Sequence, residues 1–478
     1  MTLTSEHKLF LGARLKRLRR ELGLTQARMA EDLGVSPSYL NHLERNQRPL
    51  TAQMLLRLAQ TYDIDIRSLS GDGDAVGAQD LSEVLGDQMF RDLAIPRHEI
   101  AEVAENAPGV SDAIVRLYRA YADRRRLGDT GVFERGVDGA GPGPAISPSD
   151  WVRDHIQGQR NFFPDLDEIG EALAAALRPE PQGFAAAAAQ RLAERHGVQV
   201  RVTPAETLPD QVRRYDHHRR RLMLSERLGA PGRAFAMAYQ LALLEHEPDL
   251  AGLVERAAAP NVPTRRLLKV CLANYLAGAV MMPYEAFRQV CETTHHDIEL
   301  IRTRFGASFE QVAHRLTTLS RPAARGVPFF MLRVDSAGNI SKRFAGAAFP
   351  FSRFGGTCPR WRIHAAFRAP GKILTQIVET PDGARYFTLA RTVWRVAAPY
   401  AEDDSELAIG LGCELKYAAR LIYARGLDLA NPAVTQIGPA CRVCERPACA
   451  QRAAEPVSRT LTVDDFTKSV SAYPFSPA

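Results

Sequence analysis

Leucines near the start of the chain recur at helical spacing. Leu11, Leu15, Leu18 and Leu22 share a face, and Gly23 closes that segment. Thr25 stands as N-cap for TQARMAEDLG, and VSPSYLNHLERN and TAQMLLRLAQTY carry the helical period on to about residue 70. A further helix holds IVRLYRAYADRRR, whose arginine end is favoured by the helix dipole. GDTGVFERGVDGAGPGPAISPSD, rich in Gly, Pro and Asp, is a linker. From Trp151 the period is helical again through EIGEALAAAL and FAAAAAQRLAERHG. VQVRVTP alternates, and RRYDHHRRRLMLS predicts a charged strand or hairpin whose His217 and His218 face opposite ways. Two apolar helical stretches follow, GRAFAMAYQLALLEH and RRLLKVCLANYLAGAVMMPYEAF. Near Val327 the period changes to two. FFMLRVDSAGNISKRF predicts two strands around an Asp-Ser-Ala-Gly-Asn turn, and KILTQIVETPDGARYFTLARTVW a hairpin turning at Pro381-Asp382-Gly383. SELAIGLGCELKYAARLIYARGLD predicts a strand leading into a helix. The expected fold is multidomain, mainly α with a C-terminal α+β part. Its segments are a helical domain at 1–70, a helical connector and linker at 71–147, a helical domain at 148–320 and a mixed β-sheet domain at 321–478.

Length agrees: 478 residues suggest about three domains at ~150 residues each. Charged residues at 24% and hydrophobic ones at 45% fit a globular protein. A net charge of +6 and a pI near 9.0 suit anionic partners. MTLTSEHKLFLGARLKRLRR has no apolar core of a secretory signal, and the run Val270–Tyr284 falls short of the ~20 residues that span a bilayer. A cytoplasmic protein with no membrane partner is expected, in which clustered thiols bind metals more often than they form disulfides.

The stretch from Gln26 to Asn46 is chemically specific. Ala30 lets a second helix cross closely, Gly34 supplies a turn, Leu40 and Leu43 give the second helix a buried face, and Val35 packs at its entry. Such a helix-turn-helix lays its second helix in the DNA major groove. Ser36, Ser38, Tyr39, Asn41 and His42 are then candidate base contacts, and the Asn41 amide can pair in two directions with adenine. Gln26 would face a phosphate at the start of the preceding helix, with Arg45 and Arg48 on the backbone. The plain alternative is a helical packing domain with no DNA role. From Leu11 to Leu69 the chain resembles the Cro/repressor-type (XRE, lambda-repressor-like) helix-turn-helix family. That resemblance implies a double-stranded DNA operator read as two half-sites by a homodimer or higher oligomer.

The two apolar stretches resemble the core of the ImmA/IrrE-type metallopeptidases, a helical zincin-like fold. That family's first helix carries His-Glu-x-x-His. Here the first His falls on Tyr239, the Glu on Gln240 and the second His on Leu243, and the acidic ligand expected just before Ala273 is Leu272. Zinc hydrolysis needs two imidazoles one turn apart, a third ligand and a carboxylate base. These four residues supply none of them, so a scaffold without metal, and no enzyme, is expected.

In the C-terminal part, FPFSRFGGTCPRWRIHAAF interleaves aromatics with cations, and Gly355-Gly356 permit close approach. Arg353, Arg360, Trp361, Arg362 and His364 are candidate contacts to an anionic ligand with an apolar part. A sheet rim with solvated arginines fits the composition equally. Further on, GPACRVCERPACAQRA sets Cys441, Cys444 and Cys449 at C-x2-C-x4-C spacing, with Cys413 as fourth ligand and Cys358 as its alternative. Four thiolates suit a [4Fe–4S] cluster or structural zinc.

These parts together, with FEQVAHRLTTLSRPAARGVPFFMLRVDSAGNISKR (Phe309–Arg343) as the most specific phrase, resemble the short-chain fatty acyl-CoA transcriptional regulators. The resemblance covers nearly the whole chain. It implies a transcription factor of propionyl-CoA, methylcitrate or glyoxylate metabolism whose C-terminal sensor domain binds a short-chain acyl-CoA. Some members also carry an iron–sulfur cluster there, which leaves a second reading open: a redox- or iron-responsive regulator with no acyl-CoA ligand.

Overall fold

The computed structural model describes residues 12–21, 24–44, 47–62, 74–93, 95–129, 147–177, 183–346, 349, 351, 357–394, 396–397, 400, 405–456 and 459–475. Leu11, Leu22, Gly23, Arg45, Arg353, Gly355, Gly356 and most of the linker lie outside them. The chain forms two compact units.

The first unit spans 1–141 with 457–460. Four helices open it: α1 (Gly12–Glu21), α2 (Gln26–Asp32), α3 (Pro37–Glu44) and α4 (Ala52–Tyr62). Thr25 caps α2 by accepting from the Arg28 amide at 3.2 Å. Met29, Ala30, Leu33, Leu40, Leu43 and Leu58 fill the core between them, joined by Leu15 of α1. Gly34 takes the left-handed backbone (φ 61) that the turn requires. Then come α5 (Asp74–Leu85), a 3-10 turn (Gln88–Leu93), α6 (Arg97–Asn106) and α7 (Pro108–Asp129). α5 buries Leu81 and Val84, α6 Ile100 and Ala104, and α7 Val115.

The second unit spans 142–456 with 461–478. It begins with α8 (Pro148–Gly158), α9 (Pro164–Leu177) and α10 (Phe184–His196). A three-stranded sheet follows, β1 (Gln199–Thr203), β2 (Arg213–Asp216) and β3 (Arg221–Ser225), in the order β1-β3-β2. β2 and β3 form the antiparallel hairpin that the charged run predicts, with His217 and His218 exposed at its turn. The apolar stretches become α11 (Ala230–Glu245) and α13 (Val262–Met281), separated by α12 (Glu247–Arg256). α14 (Tyr284–Thr293), α15 (Ile298–Phe305) and α16 (Phe309–Leu316) complete the helical layer.

α9 and α13 cross in contact because Gly170 has no side chain: a Cβ there would lie 2.6 Å from the Ala279 Cβ. Beneath that crossing a buried ion pair joins Arg315 to Asp167 at 2.7 Å. Tyr275 donates to the same carboxylate at 2.9 Å, while Arg315 also donates to the Met282 carbonyl (3.0 Å) and the Thr318 hydroxyl (2.9 Å). No single described helix is long and apolar enough to cross a membrane. Only α13 and α14 together pass by length and composition, as a pair bent by 60°.

A six-stranded sheet packs on these helices. Its strands are β4 (Phe330–Val334), β5 (Ile340–Ala345), β6 (Leu374–Glu379), β7 (Arg385–Trp394), β8 (Glu406–Glu414) and β9 (Thr435–Gln436). The order is β5-β4-β8-β7-β6-β9, antiparallel except for β6 against β9. Period-two alternation divides its side chains. On β8, Ile409, Leu411 and Cys413 join the helical core, while Ala408 joins a second core with Phe330, Phe349 and Trp361. Gly410 and Gly412 face that second core, where a Cβ would meet Ile363 or Phe330. The helical part and the sheet therefore share one core, and the boundary expected near residue 320 divides the chain but not the packing.

After β8 the chain does not enter the expected helix. It makes two 3-10 turns, Leu415–Arg420 and Ile422–Ala424, broken at the extended Leu421. Tertiary bonds replace helical ones here. The Ile422 amide donates to the His295 carbonyl at 2.8 Å, and the Tyr423 hydroxyl accepts from the Ile298 amide at 2.8 Å.

Candidate functional site

α3 presents Ser38, Asn41 and His42 on one face, at i, i+3 and i+4, because Leu40 and Leu43 turn the opposite face inward. Ser36 caps the helix by accepting from the Tyr39 amide at 3.1 Å. Ser38 and His42 are exposed, while Tyr39 and Asn41 are half-buried. The Arg48 guanidinium lies 5.8 Å over the Tyr39 ring, and His42 Nδ1 lies 2.6 Å from Gln47 Oε1. Gln26 is engaged within the protein: its amide donates to Asn41 Oδ1 (3.3 Å) and to Glu44 Oε2 (2.9 Å). Buried Glu44 is also gripped by Arg19, at 2.6 and 3.2 Å. This lock ties α1 and α2 to the far end of α3.

In the second unit α11, α13 and α16 enclose, with β2, β5 and β7, a cavity of about 750 Å3. The positions of the lost peptidase motif lie at its wall. Tyr239 and Leu272 line it, Gln240 is buried behind, and Leu243 packs on the core. A guanidinium has been brought to that place. Arg213 of β2 donates to Gln240 Oε1 at 2.7 Å, and its Cζ lies 4.4 Å over the Tyr239 ring. Burial pulls Arg213 below its usual value, a tendency that Tyr239 opposes. Its partners are thus neutral, and its charge stays available to a ligand.

Arg302, Lys342 and Arg391 also line the cavity. Glu299 serves both Arg302 (3.0 Å) and Arg391, and Glu310 serves both Lys342 and Arg333, each at 2.8 Å. Each carboxylate thus answers two cations and leaves one positive charge in surplus. Burial opposes the charge on Glu310, but Lys342 and Arg333 outweigh it and hold the carboxyl below its ordinary range. His314, also on the wall, is kept neutral by burial, down to about 3, and its ring lies tilted against Phe344 with centroids 4.4 Å apart. Ile156, Phe163, Tyr275 and Met282 form an apolar remainder.

The aromatic segment lies elsewhere. Trp361 is buried against Phe349 and Phe330 (ring centroids 5.4 and 6.4 Å) and donates to the Thr388 hydroxyl at 3.3 Å. Arg360 and Arg362 are exposed, and Arg362 donates to the Thr375 carbonyl at 2.9 Å. His364 lies 2.6 Å from the Thr357 hydroxyl. None of these four lines the cavity.

The cysteines divide between the two faces of the sheet. Cys413 belongs to the helical core, and burial pushes its thiol up to about 12. Cys358 lies in the other core, its thiol raised first by burial and further by Cys441 and Cys444 beside it. Gly438 leaves room for Cys444: a Cβ there would lie 2.6 Å from the Cys444 Sγ. Buried Arg452 ties the segment, donating to the carbonyls of Cys441 (2.8 Å), Cys444 (2.7 Å) and Arg446 (3.0 Å), while its Nε has no hydrogen-bond partner. Among the described residues no group of three or more His, Cys, Asp or Glu side chains is placed to hold a metal ion.

Three family models match the chain in succession. The helix-turn-helix model matches residues 15–69, the IrrE N-terminal-like domain 193–317, and the short-chain fatty acyl coenzyme A regulator, C-terminal model 318–473. The HTH-type transcriptional regulator RamB of Mycobacterium tuberculosis is 40% identical over 471 residues, 98% of each chain. The chain belongs to the short-chain fatty acyl coenzyme A regulator family. This regulator is also 39% identical over 468 residues to the Propionyl-CoA carboxylase regulator of Cereibacter sphaeroides, again 98% of each chain. The HTH-type transcriptional regulator PrpR of M. tuberculosis is 36% identical over 470 residues, 97% of this chain and 95% of that one. A solved structure, "Mycobacterium tuberculosis transcriptional regulator", matches with a TM-score of 0.65 at 37% identity, covering 69% of this chain and 100% of that chain. The regulator is a DNA-binding transcription factor with a helix-turn-helix, an IrrE-like middle and a mixed-sheet C-terminal domain.

Sequence reasoning did not single out Arg213, Arg302, Lys342 or Arg391, which are far apart in the chain. A signal for Arg213 was present: Tyr and Gln at the lost ligand positions are an aromatic face and an amide carbonyl, both suited to hold a cation.

Proposed function

We propose that the regulator senses a short-chain acyl-CoA in the cationic cavity of its second unit and reads its operator with α3. The observation that carries this reading is Arg213, fixed by Gln240 and Tyr239 where the related peptidases bind metal. A cavity of about 750 Å3 has the size of a small-molecule site. Its surplus cations suit the phosphates of coenzyme A, and its apolar remainder suits a short acyl chain. The name of the Propionyl-CoA carboxylase regulator supports propionyl-CoA metabolism as the setting. An acyl-CoA changes operator binding only by its difference in affinity between the DNA-binding and the released conformations. Tyr239, Gln240, Leu243 and Leu272 offer no metal ligand set, which supports a regulator and not a peptidase.

On DNA, Ser36, Ser38, Tyr39, Asn41 and His42 would meet base edges, with Arg45 and Arg48 positioning on the backbone, while Gln26, its amide donors taken by Asn41 and Glu44, would hold α3 in place and not meet the phosphate first expected of it. Asn41→Ala should weaken binding to a genomic operator fragment by roughly 5- to 150-fold, the loss of one two-bond base contact. Fluorescence anisotropy measures it, and adding propionyl-CoA in the same cuvette measures the response. An operator complex unmoved by acetyl-, propionyl- and butyryl-CoA would refute the sensing reading.

Paired half-sites call for two copies, and α7 exposes an apolar stripe, Val110 (55%), Ala113, Leu117 (71%) and Tyr121 (42%), suited to a second copy of itself. Cys441, Cys444 and Cys449, with Cys413 or Cys358, carry the thiolates that an iron–sulfur cluster or zinc would need, but no three of them stand together as a metal-holding group in this arrangement, so the cluster reading rests on residue chemistry alone. Such a cluster, when bound, would supply a one-electron or oxygen-labile response. Native mass spectrometry of full-length protein purified without oxygen should show an even number of copies, a retained CoA ester and the mass of iron and sulfide. A monomer would remove the α7 proposal, and a cluster with no CoA ester, even after propionyl-CoA is added, would favour the redox-responsive reading.

A further inference from the structure

α13 carries two kinds of small residue on different faces. Ala279 is small because α9 crosses there at Gly170. Gly278, one residue earlier, has no such neighbour: a Cβ built on it meets no atom of another element within 4 Å. A glycine inside a helix weakens it relative to alanine, and neither a crossing nor a left-handed backbone explains this one. Gly278 lines the cavity, so the open space beside it is cavity space.

The cavity also has a polarity along α13. Arg213 stacks on Tyr239, and Tyr239 and Lys342 both interact with the Cys271 thiol, so these two cations stand at the Cys271 end. Gly278 lies seven residues further on, about 10 Å along the helix axis. Tyr275 and Met282, one turn to either side along the chain, line the cavity with it, as does the Asn274 amide. Tyr275, one turn before it, packs edge-on against Phe163 (5.2 Å), and the Met282 amide donates to the Gly278 carbonyl at 2.9 Å. Arg315, whose guanidinium lies 5.9 Å over the Tyr275 ring, is neutralised by Asp167.

We propose that Gly278 sets the length of the acyl chain that the regulator accepts. Resting on the acyl-CoA reading above, this places the anionic coenzyme portion toward Arg213 and Lys342 and the acyl tail against Gly278. The missing side chain is the room that the tail occupies. Larger side chains at 278 shorten the accepted chain without touching the cationic end.

The test uses full-length wild-type protein and the series Gly278→Ala, Gly278→Val and Gly278→Leu. Titration calorimetry reads affinity for CoA, acetyl-, propionyl-, butyryl- and hexanoyl-CoA. The longest ester accepted by the wild type should be lost first, and the cut-off should shorten as the side chain grows. Each ester passing the cut-off should weaken by about 10-fold or more, the effect of a methylene group that no longer fits. Affinity for CoA itself should change by less than about 3-fold. Gly278→Ala should melt no lower than wild type, because its methyl enters open space. A lower melting temperature for that variant, an equal loss for CoA and every ester, or no change for any ester overturns the proposal. Wild-type protein that binds none of these esters overturns the acyl-CoA reading as well, so the two failures are distinguishable.

Discussion

Arg213→Glu should abolish acyl-CoA binding while leaving operator binding by the ligand-free regulator intact. A charge-assisted hydrogen bond contributes about 1.5–3 kcal/mol, so Arg213→Ala alone should lower affinity by roughly 10- to 150-fold. Glutamate also adds repulsion from the ligand's phosphates, to a site where Glu299 and Glu310 already answer part of the charge on Arg302, Arg391 and Lys342. Arg213→Lys should recover only part of the loss. A lysine keeps the charge but cannot both stack flat on Tyr239 and reach the Gln240 carbonyl in a fixed plane. Titration calorimetry with propionyl-CoA checks the series, and anisotropy with operator DNA supplies the control. Stability should fall by only about 1–2 kcal/mol, chiefly because buried Gln240 loses its partner. Wild-type affinity in Arg213→Glu would remove the cavity from the sensing mechanism.

Asp167→Ala should be the most destabilising single substitution at the helical crossing. It strands the buried Arg315 guanidinium, whose pairing at 2.7 Å is its charge compensation. Burial alone would lower Arg315, and Asp167 reverses that and raises it, so the guanidinium stays charged. Breaking such a pair from one side costs about 3–5 kcal/mol. For a unit of this size that corresponds to a fall in melting temperature on the order of 10 °C. Replacing both partners, in Asp167→Leu/Arg315→Met, should recover much of the loss, since no charge is then left unpaired. Scanning calorimetry distinguishes these outcomes. A melting temperature for Asp167→Ala within a degree of wild type would show that water reaches Arg315.

Much of the fold was legible because it is local. Ala30, Gly34, Leu40 and Leu43 specify a helix-turn-helix within a short stretch, and Gly338 and Gly383 mark hairpin turns with positive φ. The degenerate peptidase motif was also local, four positions on two helices. The cavity was not. Its cations come from β2, α15, β5 and β7, and only tertiary packing brings Arg213, Arg302, Lys342 and Arg391 around one space. Composition also could not separate a ligand wall from a core. The aromatics around Trp361 look like either, and in the structure they pack on Phe330 and Phe349. The cysteines show the same limit. Strand parity puts Cys413 with Ile409 and Leu411, but only the packed sheet shows that Cys358 lies beside Cys441 and Cys444. After β8, bonds from Ile422 and Tyr423 to distant residues overrode a helical sequence pattern.

The core common to the helices and the sheet has a consequence for how such regulators diversify. Phe329, Met331, Phe387, Leu389 and Leu411 fill the same interior as Leu268, Leu276, Phe287 and Val312. A recombination event that exchanged only the sheet for one of another lineage would have to bring a matching apolar face with it. The two segments are therefore expected to tolerate exchange only as one block, whereas single substitutions along the cavity wall leave that common interior intact.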